Sequence, residues 1–200
     1  MPEFVKPEPK RKHFYETYWF LALVMIILFA AMWYIKPQSI GTNLQLGQTK
    51  TLYAATYRVP DGWYRSEDSY DDMAVYLKFD NFRHFVGKYH VIYMGDLGGA
   101  DEEMAKIFAE SYNGTDFEEM PGNIEGSDEC TFFEFNTKKY LGERKGRRTD
   151  CEVYGAIASY KSATYVIMVE APEDKMNMEA ADKIISAVKF NASGEKTDYL

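Results

Sequence analysis

Cysteine and histidine are scarce in this chain. Two cysteines, Cys130 and Cys151, occur in 200 residues, with no Cys-x-x-Cys. That excludes a disulfide-dense scaffold and a thiolate zinc site. The three histidines, His13, His84 and His90, show no metal-ligand spacing and none sits in a nucleophile motif. There is no Gly-x-Ser-x-Gly, no phosphate loop and no dinucleotide fingerprint. Gly95 to Gly99 precedes a helical pattern, but its glycine spacing is wrong and Asp96 would repel an anion. No catalytic residue, cofactor site or metal site is therefore expected, and the chain reads as non-enzymatic. Low-complexity segments are absent too.

Positive charge is the next shortage. The chain carries 23 Lys+Arg against 31 Asp+Glu, a net charge of -8. Residues 37–200 alone carry 18 against 28, a net charge of -10. A surface this acidic repels nucleic acid, so no nucleic-acid partner is expected.

One stretch lacks charge altogether. Thr17 to Ile35 contains no Asp, Glu, Lys, Arg or His. As a helix it would measure about 28 Å, close to a bilayer core of roughly 30 Å. Tyr18 and Trp19 stand near one end and Trp33 and Tyr34 near the other, as in the aromatic belts of a spanning helix. Lys6, Lys10, Arg11 and Lys12 precede the run, and only Lys36 follows closely. The positive-inside rule then puts the N-terminus in the cytoplasm and the remainder on the periplasmic or other extracytoplasmic side. A cleaved signal peptide is the rival reading. The apolar run is longer than a usual signal core, and no good small-x-small cleavage site follows it. The expected organisation is a cytoplasmic leader at 1–13, a transmembrane helix at 14–36 and a linker at 37–49. A globular domain at 50–190 and a tail at 191–200 complete it.

Strand patterns are expected at Leu52 to Val59, at Ala74 to Phe79 with Val75, Leu77 and Phe79 on one face, and at Tyr89 to Met94. Met104, Ile107, Phe108 and Tyr112 mark a helix from Asp101 to Tyr112. Asn113 to Asp128 reads as a loop. Cys130 to Phe135 follows as a strand, and Cys151 to Tyr160 with Thr164 to Glu170 reads as a hairpin turning near Lys161 and Ser162. Met178 to Val188 is the last helix. Runs of strands separated by single helices give an α+β class. Simple register puts Cys130 opposite a residue near Ile157; a Cys130–Cys151 disulfide and two separate thiols both stay open.

Six basic residues fall between positions 138 and 148: Lys138, Lys139, Arg144, Lys145, Arg147 and Arg148, with Tyr140 and Leu141 among them. In an acidic domain such segregation would steer docking onto an acidic partner or a lipid headgroup surface. The alternative is a solvated hairpin loop. The acids Glu67, Asp68, Asp71 and Asp72 lack a calcium-loop pattern and read as solvated.

Two segments carry a family resemblance. Tyr57-Arg58-Val59-Pro60-Asp61-Gly62-Trp63 resembles the opening of PsbP-like domains, a strand entering a Pro-x-Gly-Trp turn. Tyr165 to Pro172, followed by a helix closing on Ile184 to Phe190, is similar to their final strand and helix. The resemblance covers roughly residues 50–190. It implies an α/β/α sandwich around a central antiparallel sheet. It also implies a non-enzymatic role: the best-known member is an extrinsic photosystem II subunit, and relatives include bacterial envelope proteins and a Ran-binding protein. The chain departs from the photosynthetic members in its apolar N-terminal helix, where they have a cleaved segment.

These readings combine into an expectation. The chain is an accessory subunit of a membrane protein complex, with photosynthetic and respiratory assemblies as candidates. Its partners would be integral membrane subunits, membrane lipid and a soluble docking protein. The alternative is a membrane-tethered envelope protein that binds a small ligand.

Overall fold

In the computed structural model, residues 14–34, 38–140 and 148–191 are described, with side chains over 18–31, 38–138 and 149–191. The chain divides into two units, residues 1–37 and 38–200.

The first unit contains helix α1, Phe14–Tyr34. No stripe of it is polar, and from Trp19 to Phe29 nearly every large apolar side chain is exposed. Among the described residues, no helix is long and apolar enough to cross a membrane.

The second unit is built on antiparallel pairing. Its elements are β1 (Leu46–Leu52), β2 (Ala55–Pro60), β3 (Tyr64–Arg65), β4 (Met73–Phe79), β5 (Phe85–Gly95), α2 (Glu102–Ser111), β6 (Thr115–Met120), β7 (Glu129–Tyr140), β8 (Arg148–Tyr160), β9 (Ala163–Pro172), α3 (Met178–Ile185) and β10 (Lys189–Phe190). A seven-stranded sheet runs β3-β4-β5-β9-β8-β7-β6, and a three-stranded sheet runs β1-β2-β10. β9 lies at the centre and is buried from Thr164 to Pro172. Its Val166 and Met168 join the core under α2, while Tyr165, Ile167 and Val169 join the core on the other face. Both faces of such a strand must be covered.

α2 covers one face. Asp101 caps it, its carboxylate accepting from the Met104 N–H at 2.9 Å. Ala105 and Ala109 are its buried residues, small enough to let the helix sit close to Phe133 and Phe135. Gly155 lies cross-strand from Phe133. A Cβ at Gly155 would stand 2.7 Å from the Phe133 ring, so the bare glycine lets that ring lie over the sheet. The other face is covered by α3, through Ala181, Ile184 and Ile185, together with the small sheet. Asn177 caps α3, accepting from the Ala180 N–H at 2.9 Å. The expected layers are therefore present in modified form. One outer layer is a helix, and the other is a helix plus a three-stranded sheet.

Several boundaries differ from the sequence reading. The single strand expected over Leu52 to Val59 is a hairpin, β1–β2, turning at Tyr53 with φ 51°. Within β4, Ala74 and Tyr76 face the larger core, and Phe79 is 40% exposed. In α2, Ile107 points to solvent at 60% exposure. The expected loop after α2 contains β6, which pairs with β7. Cys130 pairs with Ala158 and Cys151 with Thr137. They are seven ladder positions apart, roughly 23 Å at 3.3 Å per residue, and no disulfide joins them.

The expected linker also differs, because its residues from 38 onward belong to the folded unit. Ile40 is fully buried, and its N–H donates to the Lys175 carbonyl at 3.0 Å. Lys78, buried on β4, donates to the carbonyls of Ser39 (3.1 Å), Ile40 (3.2 Å) and Thr42 (2.9 Å). An ammonium has three protons, and all three are used here. Burial lowers the Lys78 pKa from the ordinary lysine value. Lys78→Met keeps the stem and deletes the donors. It should cost about 1–3 kcal/mol, the penalty of leaving buried acceptors unmet. Urea unfolding measures this, and an unchanged midpoint would show that the clasp contributes nothing.

Asp80 organises the β4–β5 turn. Its carboxylate accepts from the N–H groups of Phe82 (2.9 Å) and His84 (2.8 Å), and lies 3.1 Å from His84 Nδ1. Burial alone would raise its pKa, but these hydrogen bonds together lower it below the ordinary 3.8. A depressed carboxyl pKa gives stability that is present above the unfolded value and lost as pH falls through the folded one. Wild type should therefore be more stable than Asp80→Asn at pH 6, and the gap should close in acid. Thermal unfolding of both proteins across that range tests the sign; a gap independent of pH would contradict it.

Candidate functional site

Where the two sheets meet at the β1 and β3 edges, a cleft of about 640 Å³ opens. That size lies within the range of small-molecule sites. Its walls come from β1, β2, the Pro60-Asp61-Gly62-Trp63 turn, β3 and β4. Strand alternation decides which side chains face it. Leu52 and Lys50 share a face of β1, and Lys50 is directly opposite Tyr57 on β2. Across the cleft, Arg65 on β3 is directly opposite Tyr76 on β4.

The floor is apolar and phenolic. Tyr57 and Tyr76 hydroxyls lie 3.1 Å apart and share a hydrogen bond. Tyr89, cross-strand from Tyr76, stacks on it with ring centroids 6.1 Å apart. The Tyr89 hydroxyl is fully buried and has no hydrogen-bond partner among the described residues. Burial, then the neighbouring phenol of Tyr76, pushes the Tyr57 pKa far up, while the Arg65 guanidinium pulls it down. Burial also pushes Tyr89 up. Tyr57 and Tyr89 therefore stay protonated at neutral pH. Trp63, 7% exposed, forms one wall, and Lys50, Arg65, Asp61 and Asp71 stand exposed at the rim.

A second polar cluster is sealed beneath the end of α2. Glu170, 1% exposed on β9, accepts from the Tyr112 hydroxyl at 2.8 Å. His90 Nε2 lies 3.9 Å from the same carboxylate oxygen. The Tyr112 pKa is pushed up by burial first, then by the Glu170 charge. The Tyr112 carbonyl accepts from the Thr137 hydroxyl at 3.3 Å. With no opening to solvent at Glu170, this cluster serves to pin α2 to the sheet.

The basic stretch lies partly on β7 and β8 and partly outside the described residues. Lys138 is on β7 and forms an exposed ion pair with Asp150, its cross-strand neighbour, at 3.3 Å. Exposed pairs of this kind contribute little stability. Lys139 pairs with Thr149 and Tyr140 with Arg148 along the ladder. The side chains of Lys139, Tyr140 and Arg148, and all of Leu141, Arg144, Lys145 and Arg147, lie outside the described residues. Of the anchor aromatics, Tyr18 and Trp19 are exposed on α1, while the side chains of Trp33 and Tyr34 lie outside the described set. Glu67, Asp68, Asp71 and Asp72 form no metal-holding group, and no such group occurs among the described residues. Gly98 and Gly99 serve structure: the Gly98 N–H donates to the Ser162 carbonyl, and the Gly99 carbonyl accepts from the Thr164 hydroxyl.

The cleft was not legible as a site. Tyr57 to Trp63 is visible as a strand and turn, but its partners Arg65, Tyr76 and Lys50 carry no motif. The one signal was the alternation that puts a lysine in phase with Leu52.

Glu170→Ala should destabilise the domain by about 1–3 kcal/mol, since it strands the buried Tyr112 hydroxyl. Glu170→Gln, which keeps an acceptor, should cost less. Denaturant melts rank the two; equal losses would show that the site needs the carboxylate charge rather than an acceptor.

No family model matches the chain, and no curated protein matches it. Solved structures do align with it. Mog1p, a Ran-binding protein of Saccharomyces cerevisiae, is 13% identical, with 68% of this chain and 80% of that chain covered and a TM-score of 0.44. Cyanobacterial PsbP (CyanoP) from Synechocystis sp. PCC 6803 is 14% identical, with 78% and 95% covered and a TM-score of 0.44. A protein of Bacteroides thetaiotaomicron is 13% identical, with 76% and 51% covered and a TM-score of 0.47. At these identities and scores the likenesses assign no function.

Proposed function

We propose that this chain is a non-catalytic accessory subunit of a membrane protein complex, anchored by α1. The observation that carries this reading is the surface of α1, which is apolar on every side and exposed from Trp19 to Phe29. A helix with no polar face has no side to offer water, and it is stable only when surrounded by lipid or protein. At 21 residues it would measure about 31 Å; the described residues alone make no spanning helix, so the spanning reading rests on the uncharged sequence from Thr17 to Ile35. Lys6, Lys10, Arg11 and Lys12 favour a cytoplasmic N-terminus, with the 38–191 domain on the opposite side. There the domain would dock integral subunits or a soluble partner, with the basic residues near the β7–β8 hairpin end setting orientation.

A second reading has its own observation. The cleft between the sheets has the size and the apolar floor of a small-ligand site. A membrane-tethered binding protein would use it.

Native membranes washed with alkaline carbonate should retain the full chain, and a variant lacking 14–34 should be released. Gentle detergent extraction and native-gel separation should then place the full chain in a large assembly. Reversing Arg144, Lys145, Arg147 and Arg148 to Glu should lower its share there several-fold. Release of the full chain by carbonate would overturn anchoring, and migration as a free monomer would shift the assignment to the ligand-binding reading.

A further inference from the structure

We propose that the cleft takes a small organic monocarboxylate, its charged head between Lys50 and Arg65 and its apolar body against Trp63, Val59 and Leu52. The inference rests on the small-ligand reading of the cleft and names the ligand class.

Its first support is charge placement. In a domain of net charge -10, two cations come from opposing sheets to one opening. Lys50 is in phase with Leu52 and opposite Tyr57, and Arg65 is opposite Tyr76. Neither forms an ion pair among the described residues. A guanidinium and an ammonium on facing walls suit an anion, and the planar fork of Arg65 matches the two oxygens of a carboxylate.

Its second support is the surplus of donors below. Tyr57 and Tyr76 satisfy one hydrogen bond between them, which leaves one of their two hydroxyl protons over. A buried O–H without an acceptor is costly. A carboxylate supplies acceptors only, so it can take the spare phenolic proton together with the N–H donors of Lys50 and Arg65. Its oxygens would take the free Tyr57 or Tyr76 proton while the cations meet its charge.

The rim sets the remaining limits. Asp61 and Asp71 also border the opening, so a second negative charge on the ligand is disfavoured. Trp63, Val59 and Leu52 offer an apolar surface, which fits an aromatic or medium-chain aliphatic body.

The test uses the full chain in phosphatidylcholine nanodiscs, with empty nanodiscs as the blank. Trp19→Phe and Trp33→Phe leave Trp63 as the single tryptophan reporter, since the chain has three. The probes are 4-phenylbutyrate, octanoate and 1-naphthylacetate, each beside its primary amide. At least one carboxylate should give a saturable change in Trp63 emission, with its amide at least ten-fold weaker. A Lys50→Gln/Arg65→Gln double variant, altered only at exposed side chains, should weaken that carboxylate at least five-fold. Equal binding of acid and amide would overturn the carboxylate assignment and leave the small-ligand reading standing. Unchanged affinity in the double variant would also overturn it. No saturable change with any acid or amide would overturn both.

Discussion

The central strand of the larger sheet cannot face water on either side. β9 is buried from Thr164 to Pro172, with large apolar residues alternating between two cores. Everything around it answers that constraint. α2 closes one face through two alanines, and α3 with a small second sheet closes the other. Because the second cover is partly a sheet, its strands run out before the edge of the larger sheet does. The space left between β1–β2 and β3–β4 is the cleft. It is a by-product of covering a doubly buried strand with elements of unequal width.

The polar groups inside this fold are of two kinds. Glu170, Tyr112 and His90 are enclosed beneath the end of α2, so their interactions are internal. Tyr57 and Tyr76 have the same chemistry but border an opening. Position relative to the covering elements, not residue type, decides which group could meet another molecule.

Much of the architecture was readable from residue order. The spacing Met104, Phe108, Tyr112 places α2, and Lys161 with Ser162 marks a two-residue hairpin turn. The failures share a physical cause. Ser39 to Thr42 reads as linker because its anchor is a lysine forty residues away, and a lysine ordinarily marks a surface. Phe79 shares a face with Val75 and Leu77 by alternation, but the register of β4 shifts between Lys78 and Phe79, where Lys78 turns into the core. Ile107 fits a helical stripe, yet the tighter packing uses Ala105 and Ala109. The cleft escaped because its residues come from six segments and meet only through pairing of strands. The basic stretch was legible as composition, but not that β7 and β8 carry its two ends.

The clasp at Lys78 has a consequence for how the domain opens. Its three acceptors converge on one nitrogen, so they cannot be released one at a time without leaving the ammonium unmet in a buried place. Fraying at a chain end usually proceeds residue by residue at little cost. Here the stretch from Ser39 to Thr42 should open as one unit. Its amide protons should exchange with solvent at a shared rate rather than along a gradient from the first residue inward.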